Sequence, residues 1–304
     1  MPKSTPEEAL KRVLDLWLGG ETVDRACHRV QREYSLPKAT TTIRRDYFRW
    51  KAEQTHIPSI KPEIPPVARI DWPGPVTILA DMHLPYCHSP TLAQALAHAE
   101  SEGIETCIFL GDTLDNDYCS QFMDPVAPGD AASVNRHIEA IYGVLNEIAA
   151  VFKTIHVVRG NHDDRALKAM NRLWGLDHIF RIFTTMPGKP SIYHRFSITE
   201  RYWMLIENSP AGTWRLTHQK EYSRIPGRIA QRYVEKKHYN VVTSHCHDQA
   251  KIVMPGGHYA VAPGCVQDPL AAEYNVIRDT LHPDWVVGWA TIDDEGVPHI
   301  HGPR

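Results

Sequence analysis

Apolar residues recur at helical spacing through the first fifty residues and at strand spacing from residue 76 onward, with a proline-rich break between them. Leu10, Val13, Leu14 and Trp17 form one stripe on a predicted helix. Thr5 can cap it, Pro6 suits its first position, Glu7 and Glu8 its first turn, and Gly19–Gly20 its end. Thr22 can start a second helix with Val23, Cys27 and Val30 inward, and "SLP" at 35–37 turns the chain. A third helix begins near Thr42, with Ile43, Tyr47 and Trp50 on one side and Arg44, Arg45 and Lys51 largely on another. Residues 54–75, "QTHIPSIKPEIPPVARIDWPGP", read as an extended linker because proline removes backbone donors and fixes φ. Beyond it, strand-like runs at 76–80, 106–111 and 155–160 alternate with helical patterns at about 91–102 and 131–150. Further strand-like runs follow near 202–207, 213–217, 240–244, 250–254, 258–262, 286–292 and 297–300. An α/β opening followed by many strands predicts a layered fold with a mixed sheet. The domains are then 1–53, helical; 54–75, linker; and 76–304, α/β with an insertion at about 164–200.

Length and composition add limits. The 304 residues suffice for a large core, and 42% hydrophobic with 23% charged residues is ordinary for a globular protein. The longest apolar runs are strand-sized, so no membrane span is expected. "MPKSTPEEAL" has no apolar signal region, and the six cysteines are scattered without a CxxC pair. Together these predict a reducing, cytoplasmic setting and argue against a zinc ribbon or disulfide scaffold. Charge is uneven: residues 1–61 hold 12 Lys and Arg against 8 Asp and Glu, while the remainder holds 21 against 28. Three short helices ending in a basic one resemble a helix-turn-helix module, which implies DNA as a partner of residues 1–53. A solvated helical cap or a protein-contact domain is the plainer alternative.

Candidate chemistry gathers after the strands. "LADMHLP" offers Asp81 and His83, "FLGDTLDND" offers Asp112 and Asp115, and "VVRGNHDD" offers Asn161, His162 and Asp163. Ligands in open α/β sheets collect beyond the carboxyl ends of strands, and repeated acid and imidazole groups there suit a cation. Downstream, "WRLTHQK" adds His218 and "VVTSHCHD" adds His245 and His247. Alternation along a strand predicts both of these histidines on one face with Cys246 turned away.

The order of these motifs resembles the calcineurin-like metallophosphoesterase superfamily, whose pattern runs D-x-H, G-D-x-x-D, G-N-H-D/E, a lone His, then G-H-x-H. The matches are Asp81-x-His83, Gly111-Asp112-x-x-Asp115, Gly160-Asn161-His162-Asp163, His218, and Ser244-His245-Cys246-His247. The resemblance covers about residues 76–300 and implies a four-layer αββα sandwich of two mixed β-sheets flanked by helices, here preceded by the small all-α domain. It further implies two divalent metal ions, with Mn, Fe, Zn and Ni all suitable and Mn favoured. One would be held by Asp81, His83 and His247, the other by Asn161, His218 and His245, with Asp112 bridging. The implied activity is hydrolysis of a phosphoester by a metal-bridging hydroxide, with His162 at the phosphoryl or leaving-group oxygen and Asp115 holding its other nitrogen. Asn116 stands where protein phosphatases of the superfamily carry a phosphate-gripping arginine, and GNHE becomes GNHD, which turns the expectation from phosphoproteins toward phosphodiesters, nucleic acid or nucleotide among them. A basic helical head on such a domain also resembles proteins of phages and mobile elements. Two other readings stay open: a DNA-binding regulator that senses a metal or nucleotide, and a broad-specificity phosphomonoesterase. The insertion at 164–200 is expected as a mostly helical cap over the pocket. Asp163 is a ligand-loop residue or a loop cap, and Tyr118, Arg165 and His194 are candidate substrate contacts or ordinary surface residues.

Overall fold

The computed structural model describes residues 5–37, 39–54, 65–116, 131–169, 174–271 and 285–303. They fall into two compact units, Met1–Ile64 and Pro65–Arg304.

The first unit is three helices, α1 (Glu7–Leu18), α2 (Val23–Glu33) and α3 (Thr40–Gln54). Ala9, Leu10, Val13, Leu16, Ala26, Cys27, Val30, Ile43 and Tyr47 form their shared core. The Thr22 hydroxyl caps α2 by accepting from the Arg25 amide. Two expectations shift. Pro6, not Thr5, stands at the α1 N-cap, and the Thr5 hydroxyl instead donates to Asp46 of α3 at 2.5 Å. The buried stripe of α1 takes Leu16 rather than Trp17, whose indole is 39% exposed beneath the Lys51 ammonium, 3.6 Å from the ring centroid. Both sets fit a 3.6-residue repeat, and a large ring with a polar N–H tolerates the rim better than leucine does.

The second unit holds two six-stranded sheets. One contains β1 (Ala68–Asp71), β6 (Trp203–Glu207), β7 (Trp214–Thr217), β8 (Asn240–Thr243), β10 (Tyr259–Pro263) and β9 (Gln249–Val253), in that spatial order. The other runs β12 (Pro298–His301), β11 (Trp289–Ile292), β2 (Val76–Leu79), β3 (Thr106–Leu110), β4 (Thr154–Val158) and β5 (Phe196–Thr199). Each mixes parallel and antiparallel pairs: β2 through β5 are parallel, while β11 runs antiparallel to both β2 and β12. Alternate residues explain the layering. Ile78, Ile108, Leu110 and Val158 meet Met204, Ile206, Trp214, Leu216, Val242 and Val261 between the sheets. Cys107, Phe109, Ile155 and Val157 face outward onto α4 (Ser89–Glu102), α5 (Ala131–Val151) and α7 (Leu176–Thr184). Val241 and Ala260 of the other sheet pack on Ala230 and Val234 of α8 (Arg228–Lys237). The result is the expected two-sheet sandwich with helices outside. No helix among the described residues is long and apolar enough to cross a membrane.

Three elements depart from the sequence reading. β1 lies inside the stretch expected as linker, pairing in parallel with β6 from Ala68↔Met204 to Asp71↔Glu207. Its four residues carry no proline, and an edge strand tolerates prolines on either side. The segment 164–200, expected as a mostly helical cap, sends Leu176, Ile179, Phe180 and Phe183 of α7 into the main core and ends in β5, which pairs with β4. α8 was not legible, because only Ile229, Ala230 and Val234 of its ten residues are buried.

Candidate metal centre

The carboxyl ends of β2, β3, β4, β7 and β8 converge. Past β2 and β3 the chains continue side by side, with Asp81 N donating to Gly111 O (3.2 Å), His83 N to Asp112 O (2.9 Å) and Leu84 N to Thr113 O (2.8 Å). The backbone is left-handed at Asp81, His83 and Asp112 (φ 49, 48 and 45°) and again at His245 and His247 (φ 84 and 55°). Such conformations in non-glycine residues are uncommon and cost roughly 1–3 kcal/mol each, so the surrounding packing must hold them. Two glycines permit the approach of the loops. A Cβ on Gly111 would stand 2.4 Å from the His218 ring, and one on Gly160 would stand 2.0 Å from Asp112 N.

Donor atoms gather in three groups, each within 4.8 Å: Asp81, His83 and His247; Asp112, His218 and His245; and His83, Asp115 and His162. Asp81, His83, Asp112, Asp115 and His218 are at most 1% exposed. Asn161, His162, His245 and Arg165 are half-buried. Asp112 lies between the groups, with Oδ2 3.3 Å from His218 Nε2 and 3.9 Å from His83 Nε2, while Oδ1 accepts from the His162 amide at 2.6 Å. Asp81 Oδ2 accepts from the His245 amide at 3.0 Å. His247 Nε2 stands 3.5 Å from Asp81 Oδ1, an ionic contact rather than a hydrogen bond. Asn161 Oδ1 is 3.0 Å from His218 Nε2.

Hydrogen bonds behind these groups fix which nitrogen faces inward. Asp115 Oδ1 accepts from Nδ1 of His83 (2.7 Å) and Nδ1 of His162 (2.8 Å), leaving each Nε2 toward the cleft. His218 Nδ1 is 2.9 Å from Ser244 Oγ, which donates to Leu110 O at 2.6 Å, so that ring also presents Nε2. Asp163 accepts from the amides of Gly160 (2.8 Å) and Leu114 (3.0 Å) and so braces the loops. Asn116 donates to His162 O.

Charge is balanced among the side chains. Burial pushes the carboxyls of Asp81 and Asp112 up, but the histidine charges, from His247 and His218 onto Asp81 and from His218 onto Asp112, outweigh it and hold both low. Burial pulls His218 down, yet Asp112 and Asp81 bring it up to about 9. His247 is also raised, against burial, by Cys265 and Asp81. Burial depresses His83 and His245, favouring the neutral form a metal accepts. Burial and the Asp112 charge push Asp163 up to about 7.

Divalent metal ions fit this donor set. Asp81 Oδ1 and His83 Nε2 are buried without a hydrogen-bond partner, an expensive state unless a cation takes them. Mixed carboxylate, amide and imidazole donors suit first-row dications.

All seven residues expected as metal ligands, and both Asp115 and His162, stand in this one cluster. The strand argument for Cys246 had the wrong geometry, because β8 ends at Thr243 and the histidines sit on left-handed backbone. Cys246 Sγ is turned from the cluster toward Glu221 O at 3.7 Å. Of the candidate substrate contacts, Arg165 reaches the cluster and Tyr118 lies outside the described residues. His194 precedes β5 at the opposite end of the parallel strands, where Phe196 pairs with Ile155. Sequence reading missed Ser244, treated only as a replacement for glycine; a hydroxyl beside a ligand histidine was the available signal.

A four-layer sandwich with acids and imidazoles gathered at its strand ends defines the metallophosphoesterase class. The chain belongs to the calcineurin-like phosphoesterase family, whose family model matches residues 74–288, and it is a hydrolase of phosphoester bonds. Among solved structures it is similar to Yfce, a phosphoesterase from E. coli, at 16% identity and TM-score 0.36 over 72% of this chain and 88% of that one. It is also similar to a dimetal phosphatase from Danio rerio, at 11% identity and TM-score 0.40 over 76% and 96%. A third is the nuclease MPE of Pseudomonas putida, at 14% identity and TM-score 0.33 over 64% and 75%. No curated protein matches the chain by sequence.

Proposed function

We propose that the chain is a dinuclear metal-dependent phosphodiesterase. One observation supports this above others: Asp112 Oδ2 stands between two groups of buried donors, the place of a shared carboxylate. Asp81, His83 and His247 would hold one ion, and Asn161, His218 and His245 the other, with manganese the favoured metal. When bound, the ions lower the pKa of water and neutralise phosphoryl charge. The chain's own groups do the rest. Asp115 keeps the His83 and His162 rings in register, so His162 Nε2 faces the phosphoryl or leaving-group oxygen. Asn161, His162 and His245 are the half-buried members of the cluster and the ones substrate would meet. With no arginine at position 116 to grip a phosphomonoester, a diester is favoured.

The test is hydrolysis of bis(p-nitrophenyl) phosphate, its monoester, and single- and double-stranded DNA, with added Mn²⁺. Asp112→Asn should lose bound metal and activity together; activity indifferent to EDTA and to this substitution would sink the mechanism. For the helical unit we propose nucleic-acid contact through α3, where Thr41, Arg45, Phe48 and Arg49 are exposed together. Duplex binding by the full chain should weaken steeply with salt and on Arg45→Glu with Arg49→Glu. Binding that ignores both retires this partner.

A further inference from the structure

His162 is half-buried beside the donor cluster, and its two nitrogens are differently engaged. Nδ1 faces Asp115 Oδ1 at 2.8 Å. Nε2 faces Nη2 of Arg165 at 3.0 Å. A guanidinium has only donors, so Nε2 is the acceptor here and Nδ1 carries the proton. Arg165 belongs to the first turns of α6 (Asp163–Ala169), and its Nη1 also donates to Asp115 O at 3.1 Å and lies 3.6 Å from Asp115 Oδ1. Its side chain is 21% exposed, and both terminal nitrogens of the guanidinium are engaged by the protein. The loop that would otherwise supply a cation offers Asn116, whose amide is turned to His162 O.

We propose that Arg165 is the phosphoryl-binding side chain of this site, its guanidinium passing from His162 Nε2 to a non-bridging oxygen of the phosphodiester when substrate arrives. A charge-assisted N–H···O bond from Nη2 then holds that oxygen while Nη1 stays on Asp115 O, and Nε2 is released from the guanidinium. Asp115 holds the imidazole still during the exchange. The inference rests on the phosphodiesterase reading and gives it a specificity element that position 116 lacks.

Inorganic phosphate, titrated calorimetrically into the metal-loaded full-length chain, supplies a probe that needs no turnover. Arg165→Ala should weaken phosphate about 10- to 100-fold, the loss of a charge-assisted contact, with metal per chain unchanged. Arg165→Lys retains charge and stem without the fork and should fall between the two. KM for bis(p-nitrophenyl) phosphate should rise in the same order. Phosphate affinity within about twofold of native in Arg165→Ala overturns the proposal, as does a loss of metal in both variants that tracks the loss of phosphate, which marks a bracing role. If the native chain binds neither metal nor phosphate, the metal-centre reading fails first and takes this one with it.

Discussion

At the scale of residues, adjacent positions in the sequence have opposite duties. His245 and His247 place their rings in the cluster, whereas Cys246 between them bonds away toward Glu221 O. Cys246→Ser should therefore leave metal content and turnover near native. His247→Ala should cost more than the roughly 10–100-fold in metal affinity that follows loss of a ligand's hydrogen-bond partner. Metal analysis of the two variants side by side checks this; metal lost from Cys246→Ser reverses the assignment. These residues were legible in the sequence because chemistry needs their types at fixed spacing. Their backbone was not: nothing in "TSHCHD" announces φ values of 84 and 55°, which tertiary packing imposes. Ser244 was missed for the same reason, since its value lies in reaching Leu110 O from another sheet.

Elements were legible in proportion to how regularly they bury apolar side chains. β2 and β3 are buried on both faces and read as continuous apolar runs. β1 alternates half-buried and exposed residues over four positions, and the prolines around it masked the pattern. α8 is largely polar on its outer side. Glycines separate the two kinds of element constraint. Gly143 lies exposed within α5 with open space at its Cβ position, so Gly143→Ala should stabilise the protein by about 0.5–1 kcal/mol. Gly160 follows β4, where a Cβ would strike Asp112 N at 2.0 Å and Oδ1 at 2.2 Å. Gly160→Ala should destabilise by about 1–3 kcal/mol and release metal, because backbone rather than a flexible side chain must yield. Thermal melts of both variants, with metal content, test the pair; equal effects would mean the loop after β4 has more room than its geometry implies.

At the scale of the molecule, the sandwich carries seven donors on the ends of five strands, and their charges set how it answers to pH. His218 has a folded pKa of about 9, above the roughly 6.5 of an unfolded imidazole. In the metal-free protein its proton stabilises the fold fully below pH 6.5, and that contribution is lost as pH rises through 9. With His218 as the proposed ligand, metal would displace the same proton, so affinity should climb over this window and binding should release protons. Calorimetry in buffers of different ionisation enthalpy measures that release; pH-independent affinity between 6.5 and 9 would exclude His218 as a ligand. The bond from Ser244 to Leu110 O joins the end of β8 in one sheet to the end of β3 in the other, and donors come from both. The two sheets thus meet at their working edge like covers held by a clasp. Any breathing that spreads the covers there would also pull His218, His245 and His247 away from Asp81 and Asp112, and with them the two halves of the proposed metal centre.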